Sequence, residues 1–487
     1  MSSSLRGSKA VLTEVIVYAL GGAAQRAAFL LLVPILGHIL QADDYGRWTI
    51  FIALVPMLAS IMDFGFSKAI GRFYFDYDHD RAQLAAFVRR AVWLRALTYA
   101  ILITPVTLAL YYSWTGLTGG KLAPDLFILP LLIACMSETI LLAVTAFSRA
   151  RHIAIVFGAL RLGQGLLTVA FPFLLAKQFG LQGAALGLSA ANLIASVGAI
   201  VWIFSWVARQ PPLDLELPRF AGAGPMIRYS APVVVHDLSW WIRNSSTLVV
   251  LSHFVTAALV GAYSVGFAAL SLVAMLSWSL DFATAPYYYR WRKHVPDWKL
   301  NVKYMLNLIN GLIFAACAPA ILLFSDMRAI FFGTKFAEAD AVAPLLLIAG
   351  MLQPIYFMAV KPYFYLKRTA MLSQITFITS ASLILLSIVA IWQFGFIAAA
   401  WVTILSYASV AIIGYWLSLR LEQPPFSLNA ALRPTLACGA IAALTLSIDV
   451  PLWGNLGLSA LLVAATFRWS ILPSLKLLQK RDAFKTS

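Results

Sequence analysis

The chain has 487 residues, 61% of them hydrophobic and 11% charged, with a formal net charge of +16 and a mean hydropathy of +0.84. A soluble domain carries roughly 25% charged residues, so this composition excludes an ordinary soluble enzyme or nucleic-acid-binding domain. The apolar runs are also too long for a membrane barrel, whose strands alternate over ~10 residues.

Stretches of ~20 apolar residues, each able to cross a ~30 Å hydrocarbon layer, recur along the whole chain. In order they occupy 15–40, 48–70, 87–112, 124–147, 153–176, 183–206, 226–251, 257–280, 302–325, 340–362, 369–391, 396–419, 431–449 and 453–472. The expected fold class is therefore all-α and polytopic, with about fourteen transmembrane helices. The polar start Met1–Glu14 leads into a span too long for a signal-peptide core, so no cleavable signal is expected. No polar interval is long enough to hold a soluble domain. Cys135, Cys317 and Cys438 lie in apolar runs and show neither disulfide nor metal-ligand spacing.

The first span carries Arg26 near its middle and ends at His38, before the polar turn Gln41–Gly46. The second holds Asp63 and Lys68 near its end, the third Arg95, and the fourth Glu138. The fifth holds Arg161, Gln164 and Thr168 at helical spacing. The seventh holds Asp237, Trp240, Trp241, Arg243 and Thr247, and Asp281 closes the eighth. Charges inside a span are costly and face a bundle interior or a wet cavity, so each is a candidate functional residue.

Loop charges divide in alternation. One set holds Arg72, Arg81, Arg89 and Arg90, then Arg149 and Arg151, then Arg290, Arg292, Lys293, Lys299 and Lys303, then Arg420 and Arg433. The opposite set holds only Arg47, Lys121, Lys177, Arg328 and Lys335. The positive-inside bias assigns the first set, and both termini, to the cytoplasm. The basic and aromatic run Tyr287–His294 reads as an interfacial anchor on anionic lipid, and no nucleic-acid partner is expected.

A shift of 215 residues aligns the two halves. His38, Ala42 and Gly46 fall on His253, Ala257 and Gly261. Leu131–Met136 falls on Leu346–Met351, and Gln178–Phe179–Gly180 on Gln393–Phe394–Gly395. An even number of spans separates equivalent positions, so the repeat is parallel, a plan used by transporters with a site between two bundles. The expected organisation is an N-lobe at 1–208, a cytoplasmic linker at 209–224, a C-lobe at 225–420, and two further spans with a cytoplasmic tail at 421–487.

Several short motifs carry a resemblance. Tyr45–Gly46, Asp63–Phe64–Gly65–Phe66 with Arg72, Ser148–Arg149–Ala150, Tyr229–Ser230–Ala231–Pro232 and Gly261–Ala262–Tyr263 resemble the Wzx-type polysaccharide flippases of the multidrug/oligosaccharidyl-lipid/polysaccharide (MOP) exporter superfamily. The resemblance implies a V-shaped pair of six-helix lobes with two C-terminal helices in a bacterial inner membrane. It implies export, by alternating access, of a polyprenyl-pyrophosphate-linked oligosaccharide (an O-antigen, exopolysaccharide or capsule repeat unit). Membrane lipids, a glycan polymerase and glycosyltransferases of the same pathway are the implied partners of a monomeric transporter. A cation-coupled multidrug exporter and a peptidoglycan-precursor flippase are the alternatives within the superfamily.

On this reading Arg26, Arg243, Arg161 and Arg95 form a cationic cavity, because guanidiniums bind phosphate oxygens in forked pairs. Arg95, Arg161 and Lys68 have a second reading, as cations that snorkel or pair with a carboxylate. Asp237, Glu138 and Asp63 either couple transport to Na⁺ or H⁺ or neutralise an arginine. Trp240 and Trp241 either stack on sugar rings or pack. His38 and His253 either couple protons or hold equivalent turns. No cofactor or metal is expected, and no glycine-rich phosphate loop or nucleophile–base pair marks an enzyme.

Overall fold

Helices account for all regular structure among the described residues, which in this computed structural model are 8–77, 80–210, 223–366, 369–448 and 450–480. The expected linker, 209–224, lies outside them from 211 to 222. The chain divides into two compact units, Met1–Trp241 and Ile242–Ser487.

The first unit holds α1 (Ser8–Ile39), α2 (Ala42–Asp63), α3 (Phe66–Tyr77), α4 (Arg81–Thr118), α5 (Pro124–Ala150), α6 (Ala154–Ala208) and the start of α7 (Ala223–Phe254). Helix α6 is two arms. Phe179 and Gly180 leave helical geometry, and Gly180 takes φ 56° and ψ −136°, a conformation open almost only to glycine. The chain reverses there: a Cβ on Gly183 would lie 2.0 Å from the carbonyl oxygen of Leu175. Asp80 caps α4 by accepting from the backbone N–H groups of Ala82 (2.8 Å) and Gln83 (3.4 Å). Pro124 opens α5, where its missing N–H costs nothing.

The second unit holds the rest of α7 and α8 (Ala257–His294), α9 (Trp298–Phe332), α10 (Ala339–Met351), α11 (Gln353–Tyr365), α12 (Thr369–Phe394) and α13 (Phe396–Ser418). It closes with α14 (Leu428–Ser447), α15 (Leu452–Thr466), a π-helical turn (Phe467–Ile471) and α16 (Leu472–Lys480). Among the described residues, eleven helices are long and apolar enough to cross a membrane, α10 and α11 together counting as one. The second arm of α6, with α1 and α7, supplies the others of the roughly fourteen passes expected from the length of the apolar runs.

The internal repeat is visible in the backbone at the same shift of 215. Ser8–Ile39 becomes Ala223–Phe254, and Pro124–Ala150 becomes the α10–α11 segment Ala339–Tyr365. Gln41 and Thr256, which precede α2 and α8, both have φ −64° and ψ 158°. Gly395, the partner of Gly180, has φ 69° and ψ −150° and separates α12 from α13. The halves differ at two places. Phe64 (φ 49°) and Gly65 (φ 71°) break α2 from α3, whereas α8 runs through the equivalent Ser279–Leu280. In the other direction, α5 runs unbroken through Ser137, and its equivalent Leu352 separates α10 from α11.

Candidate functional site

In the first unit the deep charges form two buried networks. The break after α2 leaves the Asp63 carboxylate at the start of α3, where it accepts from the Ser67 backbone N–H (3.2 Å) and hydroxyl. Arg95 on α4 closes on the same group. Its Nη2 donates to the Asp63 carboxylate and its Nη1 to the Asp63 carbonyl, both at 2.8 Å, while Nε donates to the Tyr99 hydroxyl at 3.0 Å. Both ends of this pair are buried. Gly65 lies against Ser230 at the start of α7, where an added Cβ would sit 2.7 Å from the carbonyl oxygen.

The second network joins α1, α5 and both arms of α6. Arg161 Nη1 donates to Gln25 Oε1 (2.8 Å), Gln164 Oε1 (2.9 Å) and Glu138 Oε1 (3.2 Å), and Nη2 to Thr145 Oγ1 (3.3 Å). Gln25 donates to Glu138 at 3.3 Å, and Gln164 donates to both Glu138 and Asn192. Glu138 and Arg161 are thus neutralised and hydrogen-bonded within the bundle, which is the condition for tolerating a buried pair. A third pair, Lys68 with Asp237, is more exposed than these. Arg26, one residue beyond Gln25 and ~100° further round α1, is exposed. Among the described residues it has no carboxylate partner.

The second unit is arranged differently. Arg243 on α7 is half-buried, sits 5.7 Å from the ring centroid of Tyr356 and hydrogen-bonds that residue. Tyr407 on α13 is also within its electrostatic reach. A cation over an aromatic face is held without losing its charge, and no described carboxylate pairs with Arg243. On α11, the helix that also carries Tyr356, buried Lys361 pairs with Asp281 on α8. Lys361 was missed from sequence, although a lysine between Val360 and Pro362 inside an apolar span was the available signal.

The two tryptophans separate. Trp241 is buried, and its Nε1 donates to the Ala53 carbonyl at 2.7 Å. Trp240 is 49% exposed. His253 Nδ1 lies 2.9 Å from the Val249 carbonyl, a local contact at its helix end. No group of three His, Cys, Asp or Glu side chains capable of holding a metal occurs among the described residues.

About fourteen helices in two parallel repeats, with polar networks buried mid-span, define a helical membrane transporter. Residues 11–288 match the model of the family described as "Polysaccharide biosynthesis protein". That match spans more than half of the chain, which therefore belongs to this family. The chain is 23% identical over 382 residues to the "Probable low-salt glycan biosynthesis flippase Agl15" of Haloferax volcanii, covering 76% of this chain and 75% of that one. Among solved structures it is similar in fold to the lipid II flippase MurJ in an inward closed conformation. That likeness has a TM-score of 0.66 at 14% identity, over 96% of this chain and 100% of MurJ. The MATE multidrug transporter DinF-BH in complex with R6G gives a TM-score of 0.60 at 15% identity, over 88% and 98%. These two likenesses are of fold, shared along most of the length of each chain.

Proposed function

We propose that this protein flips a polyprenyl-pyrophosphate-linked oligosaccharide, an O-antigen, exopolysaccharide or capsule repeat unit, from the cytoplasmic to the outer leaflet of a bacterial inner membrane. The observation that carries the reading is a division among the deep cations. Arg95, Arg161, Lys68 and Lys361 each have a carboxylate partner. Arg26 and Arg243 have none among the described residues, so they remain available to phosphate oxygens, which guanidiniums bind in forked geometry. An unneutralised arginine deep in a span is tolerated where it meets water or an anion. Trp240, with its exposed ring, is the residue suited to stacking on a sugar. Similarity to a glycan biosynthesis flippase supports the same substrate class.

The direction of transport fits the charge. With the cell interior negative, outward movement of an anionic head group is downhill by ~2.3 kcal/mol per charge per 100 mV. The Arg-rich loops and both termini are assigned to the cytoplasmic face by their charge bias. The multidrug alternative calls for carboxylates free to meet a cationic drug. Here Asp63, Glu138, Asp237 and Asp281 are all paired with bases, which favours an anionic cargo.

The test is a flippase-deficient host producing Arg26→Ala or Arg243→Ala at normal protein levels. Surface glycan is expected to fall in both. Full restoration by both variants would remove the phosphate-binding role. Restored growth of a host lacking its lipid II flippase would instead assign the chain to peptidoglycan precursors, and export of a cationic dye would assign it to drugs.

A further inference from the structure

The first unit carries an apolar groove that the transport reading does not use. It has a volume of about 240 Å³ and runs between α3, α4, α5 and α6, lined by Ile70, Val88, Val92, Ala143, Phe147 and Ile203 among others. Its two ends differ in chemistry. At one end Arg95 and Tyr99 contribute to the lining, but their polar atoms are committed to Asp63 and Thr139. That end has no charge left to offer a ligand.

At the other end lies the Arg-rich face. Phe147 meets Trp206 (5.1 Å between centroids) and Tyr74 (5.7 Å). The Arg151 guanidinium sits 4.5 Å above the Trp206 ring. Arg81 opens α4 and lies seven residues before Val88, hence on the same face as the groove. Burial lowers the Arg151 pKa from its ordinary value; Tyr74 acts against that shift and the charge of Arg81 adds to it. Arg81 is thus within electrostatic reach of Arg151. Neither has a carboxylate partner among the described residues, and the adjacent Asp80 carboxylate is occupied in capping α4.

We propose that this groove is a binding site for an anionic phospholipid of the membrane, one acyl chain lying along Val88, Val92 and Ala143 and the phosphate held between Arg81 and Arg151. Charge complementarity selects this occupant: an unneutralised cation pair at the mouth of an apolar groove at the membrane surface attracts a lipid phosphate. The volume suits part of one hydrocarbon chain and lies below the roughly 300–1,000 Å³ of pockets that enclose larger ligands. The transported polyprenyl chain is too long for it. The bound lipid would tie α4 to α5 and α6.

The experiment is native mass spectrometry of the purified full-length chain in detergent, with phosphatidylglycerol or phosphatidylcholine of equal chain length. Phosphatidylglycerol is expected to be retained in preference. Arg81→Gln with Arg151→Gln is expected to weaken that retention about tenfold or more, at ~1 kcal/mol per cation near the surface. Ala143→Phe is expected to abolish it by filling the groove. Ala96→Phe, at an exposed lining position, makes the same test without crowding the core. Equal retention of both lipids, or undiminished binding by the double arginine variant, overturns the proposal. Displacement of phosphatidylglycerol by an equimolar polyprenyl phosphate also overturns it, by assigning the groove to the transported lipid. None of these readings depends on transport, so they stand or fall apart from the flippase function.

Discussion

The two halves share most of a backbone plan at a shift of 215 residues, yet they handle charge in different ways. In the first unit Glu138 lies on an unbroken α5 and is neutralised by Arg161, with Gln25, Gln164 and Asn192 completing the network. In the second, the equivalent of Glu138 is Gln353, the first residue of α11 after the interruption at Leu352. The equivalent of Asn192 is Tyr407, which lies within electrostatic reach of Arg243. One lobe has locked its mid-span cation between acids and amides. The other has an amide in place of the acid and a tyrosine in place of Asn192, and among the described residues its Arg243 has no carboxylate partner. The repeat thus keeps the turns at Gly180 and Gly395 while side chains at equivalent depth differ in how they are neutralised.

The largest effect is expected where that lock is broken. Glu138→Ala strands the buried Arg161 charge and is expected to cost ~3–5 kcal/mol, read as loss of folded protein in the membrane or a large drop in melting temperature. Replacing both residues by Met is expected to recover most of the stability. A stable Glu138→Ala with wild-type melting would break the contrast between the lobes. Next comes Arg243→Ala. Loss of a charged hydrogen bond to the cargo of ~1.5–3 kcal/mol predicts a transport rate lower by about 10- to 100-fold, with a smaller loss of stability than Glu138→Ala because the contact with Tyr356 goes but no buried charge is stranded. Arg243→Lys keeps charge without the fork and is expected to fall between the two.

The repeat itself is tested by paired glycine substitutions. Gly180→Ala and Gly395→Ala each force a side chain into a left-handed turn, and each is expected to cost about 1 kcal/mol or more. Thermal melts that differ widely between them would show that the two reversals are not equivalent. The smallest effect is expected at Arg72, whose pair with Asp76 is exposed at both ends. Arg72→Ala is expected to change stability by no more than ~0.5 kcal/mol, which sets the baseline for the buried pairs.

Much of this was legible in advance. Span lengths, the charge bias of the loops and the 215-residue shift are properties of composition and order, and the turn at Gly180 and Gly395 was marked by the repeated Gln–Phe–Gly. The candidate charges were legible as charges, because an ionisable residue within an apolar run stands out. Their partners were not. Asp63 and Arg95 are distant in sequence, as are Gln25 and Arg161, and Trp241 gave no sign that its indole would be spent on Ala53.

The sequence alone therefore determined the membrane setting, the all-helical fold, the parallel repeat and the depth at which cations lie, since each follows from local hydropathy and spacing along one chain. Only the tertiary structure decided which of those cations are neutralised. Whether Arg161 is a ligand-binding group or half of an ion pair depends on which face of α6 meets α5. Helix rotation is set by packing of several elements at once, not by any one of them. The same holds for Arg81 and Arg151, which come within electrostatic reach of one another only in the folded bundle.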